Sequence, residues 1–247
     1  MKIYSNPCVN INFGTNHRWY KGGRPNEKIY TASWVNRGDL RFDDLADFMV
    51  SEYAKASKVN VFSLACSDGS EAWTLDMFLR EHKNVDKFFP IIGVDIDSGI
   101  LACANSKLLN VKDSEIESLR DSGVDFYKYF DKYSHKMHIS RDSLDSETKT
   151  YIAKDFIKND FIAHERTVLQ QIRRLDNEAP NVVLCRNFFP YLNSESECYK
   201  YIQNIANALA KNDIFVIGDY DRGKEFLEVL KKFKFAEVHR NIFKLLK

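Results

Sequence analysis

The sequence has 247 residues, 44% of them apolar and 13% aromatic, and its 36 basic against 35 acidic side chains leave a formal net charge of +1. That is enough apolar material for a full core, while the balanced charge offers neither the basic excess of a general nucleic-acid binder nor an acidic tail. Apolar runs such as Phe88-Phe89-Pro90-Ile91-Ile92-Gly93-Val94 stay far below the roughly 18 residues that cross a bilayer, and no signal-peptide core opens the chain, so a cytoplasmic protein without a membrane span or a nucleic-acid partner is expected.

In chain order, residues 1–30 are broken by Pro7, Gly14, Gly22, Gly23 and Pro25 and read as an arm, locally basic through His17, Arg18, Lys21, Arg24 and Lys28. A helix is predicted from about Leu40 to Ala56, with Phe42, Leu45, Ala46, Phe48 and Met49 at helical spacing, so that 1–57 forms an arm and a covering helix. From 58 onward the pattern alternates strand and helix. Val59, Val61, Phe62, Leu64 and Ala65 suit a strand buried on both faces, and after a small polar turn a helix follows over about Glu71–His82, capped by Ser67 or Asp68. Phe89–Asp97 reads as a second parallel strand ending in two acids, with a helix over about Ser98–Ser106 behind it.

Residues 107–150 interrupt the alternation and read as an inserted subdomain: helical over Val111–Leu119, aromatic over Phe126–Tyr133, a short strand over Lys136–Ser140. Tyr151–Phe156 reads as a strand tip and Phe161–Leu175 as a charged amphipathic helix. Asn181–Asn187 and Asp213–Gly218 are buried strands, Ser194–Ala210 and Lys224–Phe233 helices, and Phe235–Val238 with Ile242–Leu246 a closing antiparallel hairpin. The fold class expected is α/β: a Rossmann-like, mostly parallel doubly wound sheet with a C-terminal antiparallel hairpin and a small insertion, in a domain running 58–247.

The chemistry gathers at strand ends. Ser67–Glu71, Asp95 and Arg186-Asn187 each follow a buried strand and would share one edge of such a sheet, where nucleotide-like ligands bind. An acid after the second strand is placed to accept hydrogen bonds from both ribose hydroxyls, and a turn with Gly69 as its single glycine suits a nucleoside without a pyrophosphate. S-adenosylmethionine fits that description. Five scattered cysteines without a Cys-x-x-Cys pair read as reduced thiols. His135-x-x-His138 has no Cys or carboxylate partner at ligand spacing, so no metal is expected.

These residues also carry a family likeness. Ala65-Cys66-Ser67-Asp68-Gly69-Ser70-Glu71-Ala72-Trp73-Thr74 resembles the Ala-Cys-Ser-Thr-Gly-Glu-Glu-Pro-Tyr-Ser signature of the chemotaxis receptor methyltransferases, the CheR family. Asp95-Ile96-Asp97 is similar to that family's Asp-Ile-Asp, and Cys185-Arg186-Asn187-Phe188-Phe189-Pro190-Tyr191-Leu192 to its Cys-Arg-Asn-x-x-x-Tyr-Phe. Thr31-x-Ser33-x-x-x-Arg37 and Tyr129-Phe130 are weaker echoes in the same order. The resemblance implies a methyltransferase that moves a methyl group from S-adenosylmethionine, leaving S-adenosylhomocysteine, to a glutamate carboxylate of a protein. It implies cofactor binding by Ser67, Gly69, Glu71 (methionine end), Asp95 (ribose), Asp155 and Phe156 (adenine), Arg186 and Asn187, with Arg37 and Tyr191 facing the acceptor. Ser70, Ala72 and Trp73 replace the signature's Glu, Pro and Tyr, and 58 residues precede Val59, so a divergent member with a shortened N-terminal domain is expected. Methylation of a small molecule and a non-catalytic cofactor-binding module are the alternatives.

Overall fold

In the computed structural model, residues 35–134, 148–175, 178–192 and 194–247 are described; the arm at 1–30, Thr31, Ser33, the pair His135 and His138, and the strand expected over 136–140 lie outside the described residues. The elements in chain order are α1 (Phe42–Glu52), β1 (Asn60–Leu64), α2 (Ser70–Arg80), β2 (Ile91–Asp95), α3 (Ser98–Asn105), β3 (Leu108–Lys112), α4 (Asp113–Asp121), α5 (Phe126–Tyr129), β4 (Phe130–Lys132), β5 (Thr148–Ala153), β6 (Phe161–Glu165), α6 (Val168–Ile172), β7 (Asn181–Leu184), α7 (Glu195–Ala208), β8 (Ile214–Val216), α8 (Lys224–Lys232), β9 (Phe235–His239) and β10 (Ile242–Leu245).

Seven strands form the main sheet in the order β6-β2-β1-β7-β8-β10-β9. The first five are parallel, and β10 runs antiparallel to both β8 and β9. The central strands are apolar on both sides because both faces are covered. Val61, Val182, Leu184, Ile214 and Val216 join a core with α1 and α2, while Phe62, Leu64, Val183 and Phe215 face a second core closed by α6, α7 and α8. Ser63 alone breaks β1's apolar run; it is buried, and its hydroxyl is spent on the site described below.

The insertion is a second, three-stranded antiparallel sheet, β3-β5-β4, carrying α4 and α5. Its strands reach Ala153, so Tyr151–Ala153 belongs to this small sheet and not to the main one. Trp73 of α2 is the joint between the two sheets. Fully buried, it meets Phe130 of β4 edge-on at 5.6 Å and Phe161 of β6 at 5.5 Å.

The helix expected over Phe161–Leu175 is replaced by strand β6 and the short helix α6. The cause is edge position. Among the described residues β6 pairs only with β2, so Phe161 and Ala163 point to the core while Ile162 and Glu165 stay exposed, and this spacing of three imitates an amphipathic helix. On α3, Asn105 closes part of that open edge, its amide donating to the Ala163 carbonyl (2.9 Å) and accepting from the Ala163 N–H (3.0 Å). Among the described residues, no helix is long and apolar enough to cross a membrane. Among the described residues, Cys66, Cys185 and Cys198 are free thiols.

Removing the joint should loosen both sheets together: Trp73→Ala is expected to cost about 3–5 kcal/mol, the range for truncating a buried aromatic. A urea midpoint unchanged from the wild type would refute this.

Candidate functional site

The chain leaves β1 through a turn that keeps returning its backbone to left-handed conformations, at Ala65 (φ 56°), Ser67 (φ 51°) and Gly69 (φ 85°). Such angles are uncommon for residues with a Cβ, and here they curl the chain tightly, the Gly69 N–H donating back to the Cys66 carbonyl (3.0 Å). At Gly69 the curl needs glycine twice over, since a Cβ would also lie 2.5 Å from Phe161. The Ser67 N–H donates to Asp95 Oδ2 (3.0 Å), tying the turn to the end of β2. Asp95 Oδ1 accepts from the N–H groups of Ile96 (2.8 Å) and Asp97 (3.1 Å). Burial pushes the Asp95 carboxyl above the ordinary range, and these three amides pull it back. Asp97 caps α3, accepting from Gly99 and Ile100. Asp68 accepts from the Ser70 N–H (3.0 Å) at the start of α2, so one of the two expected capping side chains is used, although Gly69 occupies the cap position itself.

Glu71, in the first turn of α2, is held from two strands. Its Oε1 accepts from the Ser63 hydroxyl (2.9 Å) and its Oε2 from Arg186 Nη1 (2.9 Å), beyond the end of β7. The other side of the same guanidinium, Nη2, bonds Asp39 Oδ1, and Asp39 Oδ2 accepts from the Asn187 side-chain amide (2.9 Å). Arg186 is 3% exposed, with its guanidinium 5.0 Å from the centre of the Phe42 ring. Its Nε is buried and has no hydrogen-bond partner among the described residues.

A second carboxylate organises the neighbouring loop. Asp221, buried just after β8, accepts from the backbone N–H groups of Asn187 (2.6 Å), Gly218 (2.8 Å) and Phe189 (3.1 Å). Asn187 sits at φ 55°, and its Oδ1 takes the Tyr220 N–H (3.2 Å). This approach requires Gly218, where a Cβ would fall 2.1 Å from Asn187 Oδ1. The Arg37 guanidinium lies 5.2 Å over the exposed Tyr220 ring, with its Nε 3.8 Å from Asp39 Oδ1. Tyr191 is close enough to feel both: burial raises its hydroxyl pKa while the Arg37 charge lowers it.

Of the residues expected at the site, the structure therefore gathers Ser67, Gly69, Glu71, Asp95, Arg186, Asn187, Arg37 and Tyr191 along the C-terminal ends of β1, β2 and β7. Asp155 and Phe156, expected at the adenine, lie away from this group. They follow β5 of the small sheet and precede β6, at the opposite end of the main sheet, where Phe156 lies near Arg80 at the last turn of α2 and Asp155 pairs with Lys158. At the site edge the third acid is Glu165, which closes β6 in register with Asp95; the Arg166 N–H donates to the Asp95 carbonyl (2.9 Å). Glu165, Asp39, Ser63, Tyr220 and Asp221 went unrecognised in the sequence. An acid closing an apolar run marks Glu165; nothing local marks Asp39. The Cys66 and Cys185 thiols are fully buried and pushed well up by that burial, which makes them packing groups.

The family description "CheR methyltransferase, SAM binding domain" matches residues 32–239. No curated protein matches the chain. Among solved structures, the N-methyltransferase NodS from Bradyrhizobium japonicum WM9 in complex with S-adenosyl-l-homocysteine is similar at 10% identity and a TM-score of 0.43, over 85% of this chain and 90% of that one. A S-adenosylmethionine-dependent methyltransferase from Clostridium acetobutylicum ATCC 824 is similar at 14% identity and a TM-score of 0.36, over 73% of this chain. Monomeric WbdD is similar at 11% identity and a TM-score of 0.45, over 85% of this chain. The matches span 51% of the Clostridium protein and 42% of WbdD.

Burial raises the Asp221 carboxyl to about 7, against the pull of its three amide donors and of Arg186. An acid whose pKa is higher folded than unfolded favours the folded state at low pH, and that contribution is lost as pH rises from about 4 to about 7. Wild-type stability should accordingly fall across this window, by up to about 4 kcal/mol, relative to Asp221→Asn. Urea titrations at several pH values check it; parallel profiles for the two proteins would contradict it.

Proposed function

The chain belongs to the CheR methyltransferase family, and on that premise we propose that it transfers the methyl group of S-adenosylmethionine to a glutamate carboxylate on a protein. The residues fit that cofactor. A buried Arg186 Nε beside Glu71, without a partner among the described residues, and a turn that only glycine permits at Gly69, suit an amino-acid tail and a close-lying nucleoside. In this reading Glu71 holds the ammonium of the methionine end, Arg186 and Asn187 line that end, and Asp95 takes the ribose hydroxyls, with Ser67 and Gly69 framing the turn. Glu165 and Arg166 take over the adenine edge from Asp155 and Phe156. Bound there, the cofactor supplies a methyl group on a cationic sulfur.

The observation that carries the acceptor assignment is Arg37, a cation at the mouth of the site, stacked over Tyr220 and beside Tyr191. A carboxylate is already ionised near neutral pH, so no general base is needed. What remains for the protein is to align the nucleophilic oxygen with the methyl and to exclude water. Arg37 orients the carboxylate by charge-assisted hydrogen bonding, and Asp39 close to its Nε tempers that charge, so that the oxygen remains nucleophilic. Tyr191 and Tyr220 shape the entrance.

The test is transfer from methyl-tritiated S-adenosylmethionine to a protein extract. Base-labile label in the protein fraction is the expected result. Base-stable label, label passing a small-pore filter, or no turnover would each overturn the glutamyl-ester reading. Arg37→Ala should lower kcat/KM about 10²-fold, the scale for a misplaced reactant, while binding of S-adenosylhomocysteine stays within a few-fold of wild type. Asp95→Ala should weaken that binding by about 1–3 kcal/mol, and an unchanged calorimetric titration would exclude Asp95 from the ribose site.

A further inference from the structure

Asp39 has no counterpart among the residues that the signature motifs single out, yet it touches nearly everything at the methionine end. It reaches Arg186 with one oxygen and Asn187 with the other, stands 3.8 Å from Arg37, and its backbone carbonyl accepts from the Asn241 side chain (2.6 Å) beside β10. Its side chain is 9% exposed, against 3% for Arg186 and 13% for Glu71. Charges so shielded from water interact strongly, and their sum decides what further charge the pocket accepts.

That sum is informative. Glu71 and Asp39 bond opposite nitrogens of the Arg186 guanidinium, and Arg37 Nε lies 3.8 Å from Asp39, so two positive charges face two negative ones. Without Asp39, two guanidinium groups would face the Glu71 carboxylate alone, and the set would repel an incoming ammonium. With Asp39 answering both cations, the set is neutral, and Glu71 Oε1 is already oriented by Ser63. We propose that Asp39 is a positioning residue for the cofactor: by sharing the Arg186 guanidinium with Glu71, it leaves the Glu71 carboxylate electrostatically available to the ammonium of S-adenosylmethionine's methionine end.

The proposal rests on the reading that Glu71 faces the methionine end, and its test separates the two. The probes are S-adenosylhomocysteine, which carries the amino-acid tail, and 5′-deoxy-5′-methylthioadenosine, which carries the same nucleoside without it, both titrated calorimetrically. Asp39→Asn nearly preserves shape but removes the charge and one acceptor. It should weaken S-adenosylhomocysteine about tenfold, the scale of one charge-assisted contact, and leave methylthioadenosine within about twofold. Glu71→Gln should show the same selectivity.

A merely structural Asp39 would move both ligands together. Equal losses, or no loss, in Asp39→Asn while Glu71→Gln stays selective would overturn the role of Asp39 alone. A Glu71→Gln protein without selectivity would overturn the Glu71 reading and the proposal with it. Should Asp39→Asn fail to fold, Asp39→Glu carries the test: retaining the charge, it should keep the ratio of the two affinities within about threefold of wild type, and a ratio as low as that of Glu71→Gln overturns the proposal.

Discussion

A buried guanidinium cannot remain unpaired, and Arg186 is the one on which this site depends. Taking its charge out of water is costly unless carboxylates and hydrogen bonds surround it. Those partners come from two places distant in sequence, Asp39 ahead of α1 and Glu71 in the first turn of α2, and Asn187, which follows Arg186, bonds the same Asp39. Satisfying one cation therefore pins the entry segment, the first helix of the sheet and the loop beyond β7 to one another. The Phe42 ring beneath the guanidinium extends the same constraint to α1.

A second constraint runs through the backbone. The turn after β1 keeps left-handed angles at two residues with side chains, and the loop after β7 keeps another at Asn187. Strain of this kind persists when neighbours overdetermine it. Here the neighbours are carboxylates: Asp95 fixes the Ser67 amide, and Asp221 fixes the amides of Asn187, Gly218 and Phe189. Both acids stand at strand ends, where the amides of a turning chain are otherwise short of partners. The turn after β1 and the loop after β7 are thus shaped by the same device, an acid beyond or at a strand end that accepts from backbone N–H groups of the adjacent loop.

Function follows from how these two constraints meet. Arg186 is buried with its partners, while Arg37 lies against the exposed Tyr220. Asp39 reaches both arginines, so their charges are linked through one carboxylate. The proposed methyl transfer to an ionised carboxylate asks for alignment and a dry, balanced field more than for proton transfer, and a neutral set of two arginines and two acids suits that proposal.

By itself the sequence determined the parts whose signal is local. The apolar runs at 61–65, 91–94 and 181–185 announced strands covered on both faces; the small polar turn at 67–71, Asp95 and Arg186-Asn187 announced the strand ends that meet at the candidate site. Each signal is carried by neighbouring residues, and burial on both faces leaves no ambiguity of period. Only the tertiary structure decided the rest. Edge strand β6 exposes Ile162 and Glu165, three residues apart, and so read as a helix, while Asp155 and Phe156, which the resemblance assigned to the site, lie at the other end of the sheet. Asp39 and Asp221 are ordinary loop acids until Arg186 and three turned amides are brought to them, because a carboxylate's role is fixed by what faces it across the fold and not by its neighbours along the chain.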